Sequence, residues 1–268
     1  MEHEKRVPIN NSLIAALPQK DRRHFLAGCE KVKLVLSEVI GEPGEALRHI
    51  YFPTDSFISL VRPIQGHTGL EVALVGNEGM HGISVVLGID SSYSHVLVQG
   101  EGLAMRMDVA SFRRELRLSQ ALQQLLNRYI YVRLCQLEQT AACTRFHVVE
   151  ERLARWLLMT HDRAFSDELH ITHEFLAFIL GVRRVGITRA AGSLQKRNLI
   201  SYRRGIITVL DRRGLEAASC NCYRADRTTY DDILGEKLQN MTICEDDMHT
   251  TSNQDIFKPR SSGPERAH

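Results

Sequence analysis

Residues 171–201 read ITHEFLAFILGVRRVGITRAAGSLQKRNLIS, and the spacing predicts two short helices joined by a tight turn. Ala177 is a small residue where the helices would cross, Gly181 supplies a positive φ at the turn, and Ile187 is the β-branched residue buried between them. Phe175, Leu176, Ile179 and Leu180 give the first helix an apolar face. The second opens on Arg183-Arg184 and carries Arg189, Lys196 and Arg197. A basic second helix suits the DNA major groove. An αα-hairpin inside a helical bundle would show the same corner glycine, so the residues C-terminal to the pair decide. Residues 199–202 and 206–210 are short β runs around Arg203-Arg204-Gly205, a hairpin with a basic tip. Helix, helix and basic hairpin in that order outline a winged helix, whose wing can touch phosphate beside the groove.

The pattern Ile171-Thr172, Ala177, Gly181, Arg184, Arg189 and Asn198-Leu199-Ile200-Ser201 resembles the DNA-binding domain of the Crp/Fnr transcription regulators. The resemblance runs in order and length from about Leu13 to Tyr223. It is similar to a branch sharing the phrases YFP (51–53), VGNEGM (75–80), RLARWLL (152–158) and LGVRR (180–184). It implies an α+β chain: an N-terminal antiparallel β jelly roll of the cyclic-nucleotide-binding type, a long dimerisation helix, and a C-terminal winged helix-turn-helix.

Length and composition agree with that outline. A chain of 268 residues with 43% hydrophobic content can hold two modest domains with real cores. The formal net charge of +2 is unevenly spread: residues 144–213 hold thirteen Arg and Lys against seven Asp and Glu, so the basic excess sits where DNA contact is expected. No window approaches the roughly 20 apolar residues of a membrane span, and no apolar run follows a basic start; a cytoplasmic protein with no membrane partner is expected. Six cysteines (29, 135, 143, 220, 222 and 244) show no disulfide framework, so free thiols are the default.

Along the chain, residues 1–12 are polar and expected to be loosely ordered. Residues 13–115 contain two short amphipathic helices and then β runs at 32–36, 46–52, 57–61, 71–75, 95–99 and 103–107, separated by glycine-rich turns. That spacing suggests a sandwich or jelly roll. The resemblance makes this domain an effector unit. Yet residues 79–98, GMHGISVVLGIDSSYSHVLV, place Ile83-Ser84 where the family's nucleotide binders keep a ribose-binding Glu, and residues 90–95 offer no Arg for the phosphate. A cyclic phosphodiester is a permanent anion that its binders pair with an Arg fork, so no cofactor is expected and cyclic AMP is disfavoured. Gly79, Gly82, Ser84 and His95, with Gly88 and His81 nearby, could still shape a small effector pocket; turn glycines and surface histidines would read the same way.

Residues 116–144 read as one long helix. Leu118, Leu122, Leu125, Tyr129 and Val132, continued by Gln136, Gln139 and Cys143, step by fours and threes along a heptad seam, with Leu126, Ile130 and Leu134 left for an intramolecular face. The resemblance makes this the homodimer seam, which suits half-sites one DNA turn, about 34 Å, apart. Residues 144–147 look like the hinge. In the domain 145–223, a helix over 148–163 puts Leu153, Trp156, Leu157 and Thr160 on one face, and Thr172 is a plausible N-cap for the first helix of the motif. Residues 224–268 read as a flexible tail with a short helix near 230–238.

The sequence shows no nucleophile–base pair, phosphate loop or paired carboxylates at a specific spacing, so no enzyme is expected. Its twelve His form no HExxH and no His/Cys quartet along the chain, so no metal site is expected. Iron–sulfur members of the family carry an N-terminal Cys cluster, and here that region has only Cys29. Cys220 and Cys222 are close but strained as a disulfide pair, and thiol oxidation stays open as a rival control. On the resemblance, Arg184 and Arg189 are base readers, with Val185 between them where well-studied members keep a cytosine-reading Glu. Arg183, Thr188, Lys196, Arg203 and Arg204 are cast as phosphate contacts. The expected whole is a homodimeric, sequence-specific regulator that binds double-stranded DNA and recruits or blocks RNA polymerase. The alternatives are a regulator gated by a small ligand or by thiol oxidation, and a ligand-binding module without DNA binding.

Overall fold

The computed structural model describes residues 10–65 and 67–235. Helices α1 (Ser12–Ala16) and α2 (Gln19–Ala27) lead into β1 (Glu30–Leu34), β2 (Val39–Gly41), β3 (His49–Pro53), β4 (Phe57–Ile64), β5 (His67–Val75), a 3₁₀ turn (Ile83–Leu87), β6 (His95–Gly100) and β7 (Gly102–Asp108). The strands make two antiparallel sheets, β1-β7-β3 and β2-β6-β4-β5. Period-two alternation builds the interior: on β6, Val96 and Val98 are fully buried, and they meet Leu34, Tyr51 and Ala104 from the facing sheet. The back of the β1-β7-β3 sheet carries a second core, where Phe25 meets Phe52 edge-on at 5.2 Å and Phe112 closes the group. The N-terminus is ordered sooner than expected. Asn11 is fully buried, donating through Nδ2 to the carbonyls of Pro53 and Gly79 at 2.9 Å and capping α1.

Helix α3 (Val109–Leu118), capped by Asp108, is followed by α4 (Gln120–Phe146), capped by Ser119. The single helix expected over 116–144 is thus broken at Ser119, whose hydroxyl accepts from the Leu122 N–H. Helix α4 is about 40 Å long at 1.5 Å per residue, and it runs through most of the expected hinge, ending at His147. Its buried stripe is Leu122, Leu126, Tyr129 and Val132. Three of these, Leu122, Tyr129 and Val132, are positions of the expected dimer seam. Leu122, Tyr129 and Val132 are occupied inside their own chain, Leu125 packs at the edge of the same core, and Leu118 is 70% exposed. Ile130, Leu134, Leu137 and Ala141, again at steps of four and three, form the stripe turned outward. Both stripes fit a heptad, and α4 is apolar on two sides, so spacing alone selects neither.

The C-terminal half contains α5 (Val149–Ala164), β8 (Glu168–His170), α6 (His173–Leu180), α7 (Arg184–Lys196), β9 (Ile200–Arg203), β10 (Ile206–Val209), α8 (Arg212–Ala218) and α9 (Cys222–Leu234). The strands form the antiparallel sheet β8-β10-β9, and Leu153, Leu157, Leu176, Ile187 and Leu194 lie at the centre of the core beneath it. The expected flexible tail is corrected over α9. Tyr223 is buried, Asp226 pairs with the buried Arg155 at 2.6 Å, and the Tyr230 hydroxyl donates to the Glu78 carbonyl at 2.8 Å. Residues 236–268, with the end of the short helix expected there, lie outside the described residues. Among the described residues no helix is long and apolar enough to cross a membrane.

Candidate nucleic-acid interface

The two helices of the motif are set by local chemistry. Thr172 caps α6, its hydroxyl accepting from the Phe175 N–H at 3.2 Å. Gly181 ends α6 in the left-handed region (φ 62), and its N–H and that of Val182 close back on Ala177 and Phe178 carbonyls. Ala177 and Ile187 are both buried in the core beneath the two helices. The interior of α7 is Ile187, Ala190, Ala191 and Leu194, which leaves Arg184, Val185, Thr188 and Arg189 exposed together. No side chain caps the start of α7 at Arg183, so its free N–H groups and positive dipole end favour an anion such as a phosphate.

The wing is a two-residue hairpin. Arg204 (φ 51) and Gly205 (φ 82) both take positive φ, the signature of a type I′ turn between β9 and β10. Arg203 and Arg204 are exposed at its tip. Wing and motif are joined by His173, whose ring stacks on Tyr202 at 4.1 Å and meets the Thr188 hydroxyl at 3.3 Å. Burial and the Arg184 charge hold His173 below the usual imidazole range. Lys196 is exposed beyond this face, whereas Arg197 pairs with Glu150 at 3.1 Å. The predicted residues Arg183, Arg184, Val185, Thr188, Arg189, Lys196, Arg203 and Arg204 are all exposed.

The residues expected to form an effector pocket go to separate uses. Gly79 lies against the Tyr129 hydroxyl, where a Cβ would come within 2.1 Å, and Gly82 takes φ 95 against Ile50. The Ser84 hydroxyl donates to the Ser91 carbonyl, while His95 pairs with Glu42 at 2.6 Å on the surface. His81 is buried and its pKa is pushed down to about 4 by desolvation, so it stays uncharged at neutral pH and is no anion receptor. A cavity of about 350 Å³ opens elsewhere, at the junction of β5, α4, α5 and α9, with Glu78, Arg133, Arg155, Arg163 and Tyr230 in its wall.

Two features escaped sequence reasoning. Glu71 on β5 accepts hydrogen bonds from Ser59 at 2.5 Å and from the Trp156 indole at 2.7 Å, so Trp156 bridges the two halves as well as filling the core. Burial pushes the Glu71 carboxyl up to about 7, even with Arg163 and Arg155 nearby. The second is a group formed only in space: Cys143, His147, Cys220 and Cys222 place their ligand atoms within 4.8 Å of one another. Cys143 and His147 are one helical turn apart at the end of α4, a usable ligand spacing. Cys220 lies 77 residues from Cys143 along the chain, and only the fold joins them.

Residues 151–218 match the Crp-like helix-turn-helix domain family. No curated protein matches the sequence. Among solved structures, FixK2 from Bradyrhizobium japonicum superposes with a TM-score of 0.61 at 13% identity, covering 72% of this chain and 98% of that one. A Eubacterium rectale protein assigned to the Crp/Fnr transcriptional regulators gives 0.62 at 16%, covering 78% and 98%. CLP, the c-di-GMP-responsive global regulator of Xanthomonas campestris, gives 0.59 at 15%, covering 72% and 99%. At these identities the likeness is one of fold.

Proposed function

We propose, from the premise that residues 151–218 are a Crp-like helix-turn-helix domain on a chain with the Crp/Fnr fold, that the protein is a sequence-specific DNA-binding transcription regulator acting as a homodimer. The observation that carries this is the exposed basic face of α7, where Arg184, Val185, Thr188 and Arg189 stand free above a buried Ile187. In the major groove, Arg184 and Arg189 grip guanine edges, each worth about 1–3 kcal/mol of discrimination. Val185 offers only an apolar contact, which suits a thymine methyl. Arg183, Thr188 and Lys196 hold phosphates around the groove, and Arg203 and Arg204 do so from the wing.

A single α7 reads one half-site, so pairing is needed for a palindromic site. The outward stripe Ile130, Leu134, Leu137 and Ala141 of α4 supplies the dimer seam. The dimer then recruits or blocks RNA polymerase at the promoters it occupies. Control by cyclic AMP is disfavoured, since residues 90–95 contain no Arg. The 350 Å³ junction cavity favours a ligand-gated form of the same regulator, because it touches both halves of the chain. Selection from a random duplex pool tests the reading: an inverted repeat with half-sites one helical turn apart is expected, and recovery of unrelated sequences would overturn it.

A further inference from the structure

We propose that Cys143, His147, Cys220 and Cys222 bind one Zn²⁺ ion tetrahedrally and so pin the end of α4 to the turn between α8 and α9. The geometry is that of a single ion. Zn–S bonds of about 2.3 Å and Zn–N bonds of about 2.0–2.1 Å at tetrahedral angles give ligand–ligand edges of roughly 3.8 Å (S to S) and 3.6 Å (S to N). Here Cys143 Sγ and Cys220 Sγ are 3.6 Å apart, and Cys222 Sγ and His147 Nδ1 are 3.4 Å apart. All four ligand atoms fall within 4.8 Å of one another, and the three cysteines are buried as a group of their own. A multi-iron cluster would spread its thiolates over separate irons, so this packing suits one metal. A Cys143–Cys220 disulfide would use two of the four groups and leave Cys222 and His147 without a purpose.

The surroundings fit the charge. Three thiols release three protons as Zn²⁺ binds and His147 stays neutral, giving a centre of net charge −1. Gln139 Nε2 donates to Cys222 Sγ at 2.9 Å, and the Arg155 guanidinium lies close enough to Cys143 to favour its thiolate. The consequence is mechanical. Cys143 and His147 belong to the helix that carries the dimer stripe, whereas Cys220 and Cys222 follow the last helix of the DNA-binding domain. Arg152, on α5 beside the cluster, donates to the Leu180 carbonyl at 2.6 Å, directly behind the turn of the motif. The ion therefore fixes the pose of α6 and α7 relative to the dimer axis.

The test uses the full chain purified under reducing conditions without chelator, and it needs no DNA. Elemental analysis is expected to find one zinc per chain, and Co²⁺ exchanged into the chelator-stripped protein is expected to show tetrahedral d–d and thiolate-to-cobalt absorption. Cys222→Ser and His147→Ala are each expected to lower retained zinc about tenfold or more, while Cys29→Ser and Cys135→Ser leave it unchanged. Should the ligand variants fail to fold, the cobalt spectrum of the wild-type chain decides alone. A chain that holds no zinc and gives no thiolate–cobalt band overturns the site. So does a mass two hydrogens light with Cys143 and Cys220 blocked to alkylation, or full zinc retention in a Cys220→Ser/Cys222→Ser variant.

Discussion

Trp156 donates its indole N–H to Glu71 across 2.7 Å, so a residue of the helix-turn-helix half is fastened to a strand of the β domain. Glu71 is also the group whose protonation sets the quality of that joint. Ser59 faces it from β4, and Arg155 and Arg163 face it from α5.

The stability contributed by Glu71 falls as pH rises, because burial penalises its charged form. Burial lifts the carboxyl from 4.5 to about 7, so between those values the folded chain binds more protons than the unfolded one, and the stability from this group falls as pH increases through that window. Glu71→Gln keeps both hydrogen-bond partners without the charge. Its gain over the wild type is expected to be small near pH 5, to grow to at most a few kcal/mol by about pH 7, and to level off above it. Thermal midpoints from pH 5 to pH 8 for both proteins check this; parallel curves would contradict it.

The corner of the motif leaves no room for larger residues. Ala177→Leu overpacks the core between α6 and α7 and is expected to cost about 1–3 kcal/mol. Gly181→Ala places a Cβ 3.0 Å from Leu70 at φ 62 and is expected to cost about 1 kcal/mol. Urea unfolding measures both, and neutral variants would refute the packing described.

Dimerisation and folding are separable on α4. Leu134→Glu or Leu137→Glu is expected to leave a folded monomer with lost DNA binding. Leu122→Ala is expected to cost about 2–5 kcal/mol of stability while the dimer persists. Analytical ultracentrifugation with circular dichroism distinguishes them, and a monomer produced only by Leu122→Ala would restore the inner stripe as the seam.

Helix α9 is part of the folded unit. Asp226→Ala strands the buried Arg155 guanidinium and is expected to destabilise by about 3–5 kcal/mol. Denaturant titration measures the loss.

Local chemistry was legible in the sequence and distant convergence was not. Thr172, Gly181 and Arg204-Gly205 announce a cap, a corner and a hairpin because each signal lies within a few residues of its effect. The phase of α4 was hidden, since Leu122 and Leu134 sit on different apolar stripes with identical spacing. Helix α9 was hidden because its anchors, Asp226 to Arg155 and Tyr230 to Glu78, bind partners far away in sequence. The Cys143, His147, Cys220 and Cys222 group was hidden for the same reason.

The most direct measurement is the affinity of the full chain for a selected duplex and a scrambled one, at low and moderate salt, with Arg184→Ala and Arg204→Ala alongside the wild type. The predicted result is strong preference for the selected duplex with a steep fall in affinity as salt rises. Arg184→Ala should lose about 1–3 kcal/mol on the selected duplex alone, and Arg204→Ala should weaken both duplexes alike with a shallower salt slope. Equal affinity of the wild-type chain for both duplexes would contradict the account.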